Sequence, residues 1–420
     1  MIRIAGGTVL TPEGMMLADV WVAGDTVIAL GSDGPSVVRV VDATGMLVGP
    51  GLVDLHTHLR EPGQTWKEDI ESGTRAAAVG GYTAVVAMPN TIPPIDSPEV
   101  AAAVTAAGLS AGLALVMPAG ALTVGRSGRA PSDAEALYRA GVRLFTDDGE
   151  TVSDPGVLAE AMRNLARLPG AVVAQHAEDP FLTQGRQLQD GEAVGPPGPG
   201  NMPSEAEYSV VARDLQLAAE SGAHYHVQHV STAETVALVR AAKTEGLRVT
   251  AEVTPHHLSF DESAVAGLDT NFKMYPPLRS SSDRMAVTAA LIDGTIDAVA
   301  TDHAPHTVAE KAVPFSGAPR GVIGLETAAP AVWEVMSDPV RFFEVTSVLP
   351  ARIAGLRRHG VPLTVGAPAN LVVFDPSARW VPESFVSKSS NSPYLGRAMT
   401  GRAMLTVFEG TITHQLEGVA

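Results

Sequence analysis

The sequence predicts an α/β protein: a TIM-type (β/α)8 barrel with a small β-sandwich domain formed by both termini. Three observations carry that prediction. Eight short apolar runs of strand character alternate with helix-patterned segments between residues 49 and 351. The two ends, residues 1–48 and 352–420, read instead as short strands broken by Gly, Asp and Pro turns. Polar residues, histidines prominent among them, follow seven of the eight apolar runs, where a barrel enzyme keeps its chemistry.

In the first 48 residues, apolar segments at 8–10, 20–22, 27–30 and 37–41 are separated by turn residues, with no amphipathic helix. The barrel strands are expected at 52–55, 82–88, 113–117, 142–145, 172–174, 224–227, 249–253 and 298–300. Helices are expected between them at 68–79, 97–107, 133–140, 155–165, 205–221, 233–245 and 282–291. An open doubly wound sheet would need a glycine-rich phosphate loop after an early strand, and none stands in that context. The Pro/Gly-rich stretch 191–203 reads as a plain surface connection, and 307–321 as a candidate lid after the eighth strand. Strand character returns at 371–374, 403–408 and 410–412, so the last segment is expected to join the first 48 residues in one β-domain, with the barrel at 49–351.

Composition removes whole classes of function. A formal charge of −17 repels nucleic acid and anionic membranes, so an anionic small molecule would need a local positive site. The chain has no cysteine, which excludes disulfides, thiolate metal sites and cysteine nucleophiles together. Any metal must be held by His, Asp, Glu or a modified Lys. The first residues lack the apolar core of a signal peptide, and no run has the length and apolarity of a bilayer span; a cytoplasmic protein is expected.

The strand ends carry the chemistry. His56 and His58 close the first strand, and side chains at i and i+2 of a strand share a face, so both imidazoles aim at one point. Arg60 would follow in the same register if the chain stayed extended. Neutral imidazole is a common ligand of zinc and similar ions. A lone His-x-His pair is ordinarily a packed or surface feature. Here ten of the 12 histidines fall between His56 and His306, on or beside the predicted strands. His56 and His58 with Asp302 can hold one ion, and His176 with His229 a second. Two adjacent divalent ions need a bridging anion. Some barrel hydrolases use a carboxylated lysine from the fourth strand, but none of the five lysines lies between Lys67 and Lys243. The bridge must then be an aspartate, Asp148 as first choice and Asp147 as the alternative. Of the other histidines, His224 and His226 read as core or supporting residues. His256, His257 and His303 read as partners that orient the ligands, and His359 and His414 as bland positions outside the barrel.

Together these motifs resemble the cyclic amidohydrolases, most closely the dihydroorotases of the long bacterial type. The pieces that carry the likeness are His56-Thr57-His58-Leu59-Arg60-Glu61-Pro62-Gly63, Met88-Pro89-Asn90-Thr91, Phe145-Thr146-Asp147-Asp148-Gly149 and His176-Ala177-Glu178-Asp179. His229-Val230-Ser231-Thr232, Glu252-Val253-Thr254-Pro255-His256-His257 and Ala300-Thr301-Asp302-His303-Ala304-Pro305-His306 complete it. The resemblance implies metal ligands at His56, His58, Asp148, His176, His229 and Asp302, and Zn2+ as cofactor, two ions per chain. It implies substrate contacts at His58, Arg60, Asn90 and His306. The chain departs from the family at two places expected to line the ring pocket: Tyr275 stands where Asn often precedes Pro-Pro-Leu-Arg, and Arg320-Gly321 where Phe-Gly is common.

The implied reaction is the reversible closure of N-carbamoyl-L-aspartate to L-dihydroorotate in de novo pyrimidine biosynthesis. The resemblance further implies that a metal-bound hydroxide would be the nucleophile, Asp302 the general acid and base, and Arg60 the fork that grips the substrate carboxylate. A homodimer and association with aspartate carbamoyltransferase are also implied. Two other readings compete. Hydantoinases, dihydropyrimidinases and allantoinases share the fold, but usually carry the bridging lysine and act on rings without a carboxylate. A catalytically silent scaffold would tend to lose metal ligands, and all six positions are present here.

Overall fold

The computed structural model describes residues 1–36, 39–189 and 201–416. The connection expected at 191–203 lies largely outside the described residues.

Eight parallel strands form the barrel: Leu52–Thr57, Tyr82–Ala87, Leu115–Pro118, Leu144–Phe145, Val172–Gln175, His224–Val227, Val249–Val253 and Ala298–Val299. The first three pair in one ladder and the last five in another. Two joints close the ring. Gly120 bridges Phe145, and Thr57 bridges His303, with the His58 amide donating to the His303 carbonyl at 2.8 Å. That second joint sets the end of the first strand beside the end of the eighth, so residues 246 positions apart in sequence share one mouth. The fully buried Asp54 carboxylate reinforces it by accepting from the Thr301 amide at 2.9 Å and from the Thr301 hydroxyl.

Inward-facing Leu55, Val86, Met88, Leu144, Val172, Ala174, Ala298 and Ala300 pack as one cluster inside the barrel. Small residues on the fifth and eighth strands leave room for polar side chains above them. The amino end of the barrel is stoppered from below, because Ile353 and Ala354 join the same cluster. They arrive on a helical stretch the sequence reading did not anticipate: Ala328–Val335, Pro339–Phe343, a π-helical turn Glu344–Val348 and Leu349–Ile353. Phe342 and Phe343 on it are wholly buried.

Both termini build one antiparallel-rich sheet. Its order is Thr411–Gln415, Met399–Phe408, Leu371–Trp380, Leu47–Pro50, Ile2–Thr11, Gly14–Ala23 and Thr26–Gly31, with Arg39–Asp42 on the side of Ile2–Thr11. The two ends of the chain meet where Val373 pairs with Val48 and Leu371 with Pro50. The next residue, Gly51, leads into the first barrel strand, so the sheet is tied directly to the element that carries His56 and His58. Among the described residues no helix is long and apolar enough to cross a membrane.

Side-chain caps fix where several helices start. Asp69 and Ser72 make a capping box before Ile70–Val79, Ser97 caps Pro98–Ala111 and Thr232 caps Ala233–Thr244. The segment 307–321 is not an open loop. Lys311 donates to the carbonyls of Thr270 at 2.8 Å and Pro319 at 3.0 Å, and Lys273 to those of Phe315 at 2.5 Å and Ala318 at 2.6 Å. Two buried ammonium groups thus staple this segment to the loop that carries Tyr275.

Candidate metal centre and active site

Six side chains from the carboxyl ends of five strands converge. His56 and His58 come from the first strand, Asp148 from the fourth, His176 from the fifth, His229 from the sixth and Asp302 from the eighth. All six are buried. The imidazoles of His56 and His58 lie 5.3 Å apart by ring centre, and His56 is 5.4 Å from His229. Asp148 stands between the two histidine pairs. Its Oδ1 is 3.1 Å from His56 Nε2 and 3.9 Å from both His176 Nδ1 and His229 Nε2, while its Oδ2 is 3.4 Å from His58 Nε2. It therefore belongs to both three-residue groups whose donor atoms are close enough to share an ion. Asp302 Oδ1 sits 3.0 Å from His58 Nε2 and 3.6 Å from His56 Nε2. Asp147 is turned away: its carboxylate accepts from the Thr123 amide at 3.0 Å and from the Thr123 hydroxyl.

These atoms fit divalent cations. His56 Nδ1 faces Glu252 Oε1 at 2.9 Å, an acceptor, so the ring proton lies there and Nε2 turns a lone pair toward Asp148. His58 repeats the pattern, with Nδ1 against Asn90 Oδ1 at 2.9 Å and Nε2 toward the two aspartates. Acceptors therefore face acceptors in a buried space, and His56 Nε2 has no hydrogen-bond partner among the described residues. The histidines across the site are as close, with His176 Nδ1 2.8 Å from His229 Nε2. Positive charge between these groups is what the arrangement lacks. The electrostatics agree. Burial opposes charge on His56, yet Asp148, Asp302 and Glu252 together raise its pKa well above the usual imidazole value. Burial likewise disfavours charge on Asp148 and Asp302, but the surrounding histidines hold both well below the usual carboxylate range. His176 is pushed down to about 3 by burial and by His229, which leaves it a neutral donor of electrons.

Three of the residues at this mouth, Arg60, His229 and Asp302, hold left-handed backbone angles, with φ of 60°, 32° and 46°. Such conformations cost energy in a residue with a side chain and persist where surrounding structure dictates them. At Arg60 the chain does not stay extended. The strand ends at Thr57, so Arg60 does not continue the His56/His58 register; a left-handed residue delivers it to the pocket wall.

The mouth opens into a cavity of about 180 Å³ lined by His58, Arg60, Asn90, Asp148, His176, His229, Tyr275, Asp302, His306, Arg320 and Gly321, among others. Every residue expected to meet substrate lies on it. Arg60 Nε donates to the Pro305 carbonyl at 3.3 Å; burial lowers its pKa to about 10, so it stays cationic at neutral pH. Tyr275 and Arg320, the two departures from the family, are stacked on each other, with the guanidinium carbon 4.1 Å from the ring centre. Tyr275 also packs against His176 at 4.5 Å and donates to Thr183 Oγ1 at 3.1 Å. Gly321 has φ of 122°, and a Cβ there would lie 2.7 Å from the Ala304 Cβ and 3.2 Å from His306 Nε2, so only glycine lets this segment close on the pocket. His306 is fixed rather than free, with Nε2 donating to the Arg320 carbonyl at 2.8 Å and Nδ1 3.4 Å from Lys67 Nζ.

The residues that orient the ligands differ from those expected. His257 bonds Thr254 Oγ1 at 2.7 Å and the Pro276 carbonyl at 3.2 Å; His303 meets Glu68 at 3.3 Å and the Gly324 amide at 3.2 Å. His256 Nε2 has no partner among the described residues. None of the three bonds a ligating imidazole. Glu252 does, sandwiched between His56 Nδ1 at 2.9 Å and His226 Nε2 at 3.0 Å. It was missed as a functional residue. The available signal was an acid inside the otherwise strand-like run 249–253, at a position that alternates with apolar neighbours facing the core.

A closed parallel barrel whose carboxyl-end mouth gathers two imidazole pairs around one shared carboxylate is the frame of a metal-dependent hydrolase. The Dihydro-orotase-like family model matches residues 45–235. A dihydroorotase of Mycobacterium leprae (strain TN) is 46% identical over 406 residues, covering 94% of each chain. One of Bacillus caldolyticus is 46% identical over 380 residues, 89% of this chain and 88% of its own. Among solved structures, an L-hydantoinase (dihydropyrimidinase) from Arthrobacter aurescens superposes with a TM-score of 0.87 at 25% identity, over 100% of this chain and 97% of its own. The chain belongs to the dihydroorotase family of cyclic amide hydrolases.

Proposed function

We propose that the chain catalyses the dihydroorotase reaction, the reversible closure of N-carbamoyl-L-aspartate to L-dihydroorotate and water, with Asp302 as proton carrier and Arg60 as carboxylate anchor. The observation that carries this reading is the placement of Asp148 between His56/His58 and His176/His229 in a pocket that also holds a buried guanidinium. His56, His58, Asp148, His176, His229 and Asp302 would hold two zinc ions. When bound, such ions lower the pKa of water toward neutrality and polarise the ring carbonyl.

The chain's own residues do the rest. Arg60 meets the substrate carboxylate with its planar fork, and Asn90 and His306 flank it. His306 is held neutral chiefly by burial and then by Arg60 and Lys67, so it flanks the carboxylate as a fixed neutral ring rather than a second charge. In the hydrolytic direction Asp302 accepts a proton from the attacking water and returns it to the leaving ring nitrogen. The reverse sequence closes the ring. The stacked Tyr275–Arg320 pair borders the ring side of the pocket and narrows what fits there.

Family membership supports the finer parts of the reading: zinc as the metal, two ions per chain, a cytoplasmic enzyme, a homodimer and association with aspartate carbamoyltransferase. Partition of the chain at residues 48 and 351 into barrel and terminal β-domain is part of the same proposal. The hydantoinase-like structure raises a second reading, a cyclic amidase of rings without a carboxylate. Purified protein assayed on dihydroorotate, hydantoin and allantoin, with metal analysis of the same sample, decides between them. Turnover of dihydroorotate alone is expected; faster turnover of hydantoin would overturn the proposal.

A further inference from the structure

At the opposite end of the barrel, where the strands begin, lies a larger cavity of about 720 Å³. It is bounded by the residues before the fourth and fifth strands and by the stretch 348–362 that stoppers the barrel from below. Arg143, Arg352 and Arg357 line it, with His359, and none of its lining residues is acidic. In a chain with 46 acidic and 29 basic residues, a recess walled by three guanidinium groups and no carboxylate stands apart.

The three arginines differ in how they are held. Arg143 is fixed in place. Its guanidinium lies over the Tyr138 ring at 4.0 Å, and Nη1 donates to the carbonyls of Tyr138 at 2.9 Å and Val142 at 2.8 Å. Its Nε and Nη2 make no hydrogen bond among the described residues, so one edge of the fork is left for a ligand. Arg352 and Arg357 are exposed, and their guanidinium groups form no ion pair or hydrogen bond among the described residues. The remaining wall is apolar, with Leu356 and Val361 among it. Clustered charge of one sign raises the local concentration of counter-ions, and arginine forks match phosphate oxygens in pairs. The volume falls within the span of roughly 300–1,000 Å³ usual for small-molecule sites, and exceeds what a bare phosphate fills.

We propose that this cavity binds a phosphorylated small molecule of nucleotide size, its phosphate on Arg143, Arg352 and Arg357 and its organic body on the apolar wall. The ligand would rest against the stopper of the barrel, at the face away from the catalytic mouth. The test is calorimetric titration of the metal-loaded enzyme with UMP, AMP and inorganic phosphate, at low and at high salt. Saturable binding of a nucleotide, one per chain and weakened by salt, is expected. The Arg352→Glu/Arg357→Glu variant should weaken it about tenfold or more, while turnover and thermal unfolding stay unchanged. Absence of saturable nucleotide binding would overturn the proposal. So would binding that the double variant leaves intact, inorganic phosphate binding as tightly as either nucleotide, or preferential binding of poly-L-glutamate, which would mark the recess as a seat for an acidic protein segment.

Discussion

Glu252 offers the sharpest trial of the metal centre, because it touches a candidate ligand without being one. Its carboxylate is buried between His56 Nδ1 at 2.9 Å and His226 Nε2 at 3.0 Å. Consider Glu252→Gln first. The amide oxygen can still accept from His56. The amide nitrogen would then face His226, which can answer by moving its proton to Nδ1, where Thr250 Oγ1 waits at 2.8 Å. Both contacts survive and only the charge is lost. A charge-assisted hydrogen bond exceeds a neutral one by about 1 kcal/mol, so metal affinity should fall roughly fivefold to tenfold. Glu252→Ala removes the bond itself and frees the His56 ring to turn, with only Gln228 Nε2, at 3.2 Å from Nδ1, to offer a contact. Loss of such an orienting partner costs about 10- to 100-fold in affinity, and burial places this case near the upper figure. The assay is competition between enzyme and a calibrated chelator, read by elemental analysis, with circular dichroism to verify folding. The graded order wild type, Gln, Ala is the prediction. Folded variants that hold metal equally well, or equally badly, would refute the reasoning.

The other predictions concern residues at the mouth itself. Asp148→Ala should reduce bound metal below two ions per chain by elemental analysis, whereas Asp147→Ala should not, since Asp147 is spent on Thr123; the opposite result would exchange their roles. Asp302→Asn should keep part of the metal while kcat drops about 10²–10⁴-fold, the usual worth of a general acid–base group; substantial residual turnover would remove it as proton carrier. Arg60→Lys should raise KM for dihydroorotate about tenfold or more with metal content unchanged, because an ammonium cannot reproduce the fork. An unaltered KM would count against carboxylate anchoring.

Much of this was legible in the chain because a barrel writes its mouth into the sequence at regular intervals. Each apolar run is followed by the polar residues its carboxyl end presents, and the closing joint between Thr57 and His303 then unites the first with the last. That neighbouring residues at a strand end point opposite ways means one of Asp147 and Asp148 faces inward, but alternation by itself does not say which. What escaped detection lacked a local signal. Arg60 was legible as a pocket residue, but the left-handed backbone that delivers it there was not, because no residue type announces it. In the stretch 328–353, Pro330, Pro339 and Pro350 cut the chain into pieces too short to read as a helix by periodicity, and only in the fold do they join, with Phe342 and Phe343 wholly buried. The histidines at 256, 257 and 303 were credited with orienting ligands on proximity in sequence, and the structure gives that place to Glu252. His359, read as bland, lines the lower cavity.

The shared carboxylate has one more consequence. A carboxylated lysine is a carbamate, assembled from a free amine and dissolved carbon dioxide and lost again when the gas is withdrawn. Asp148 is translated with the chain and cannot evaporate from it. Reconstitution of this enzyme from apoprotein and metal salt should therefore proceed alike in degassed and in bicarbonate-rich buffer, and its activity should be indifferent to the carbonation of its surroundings.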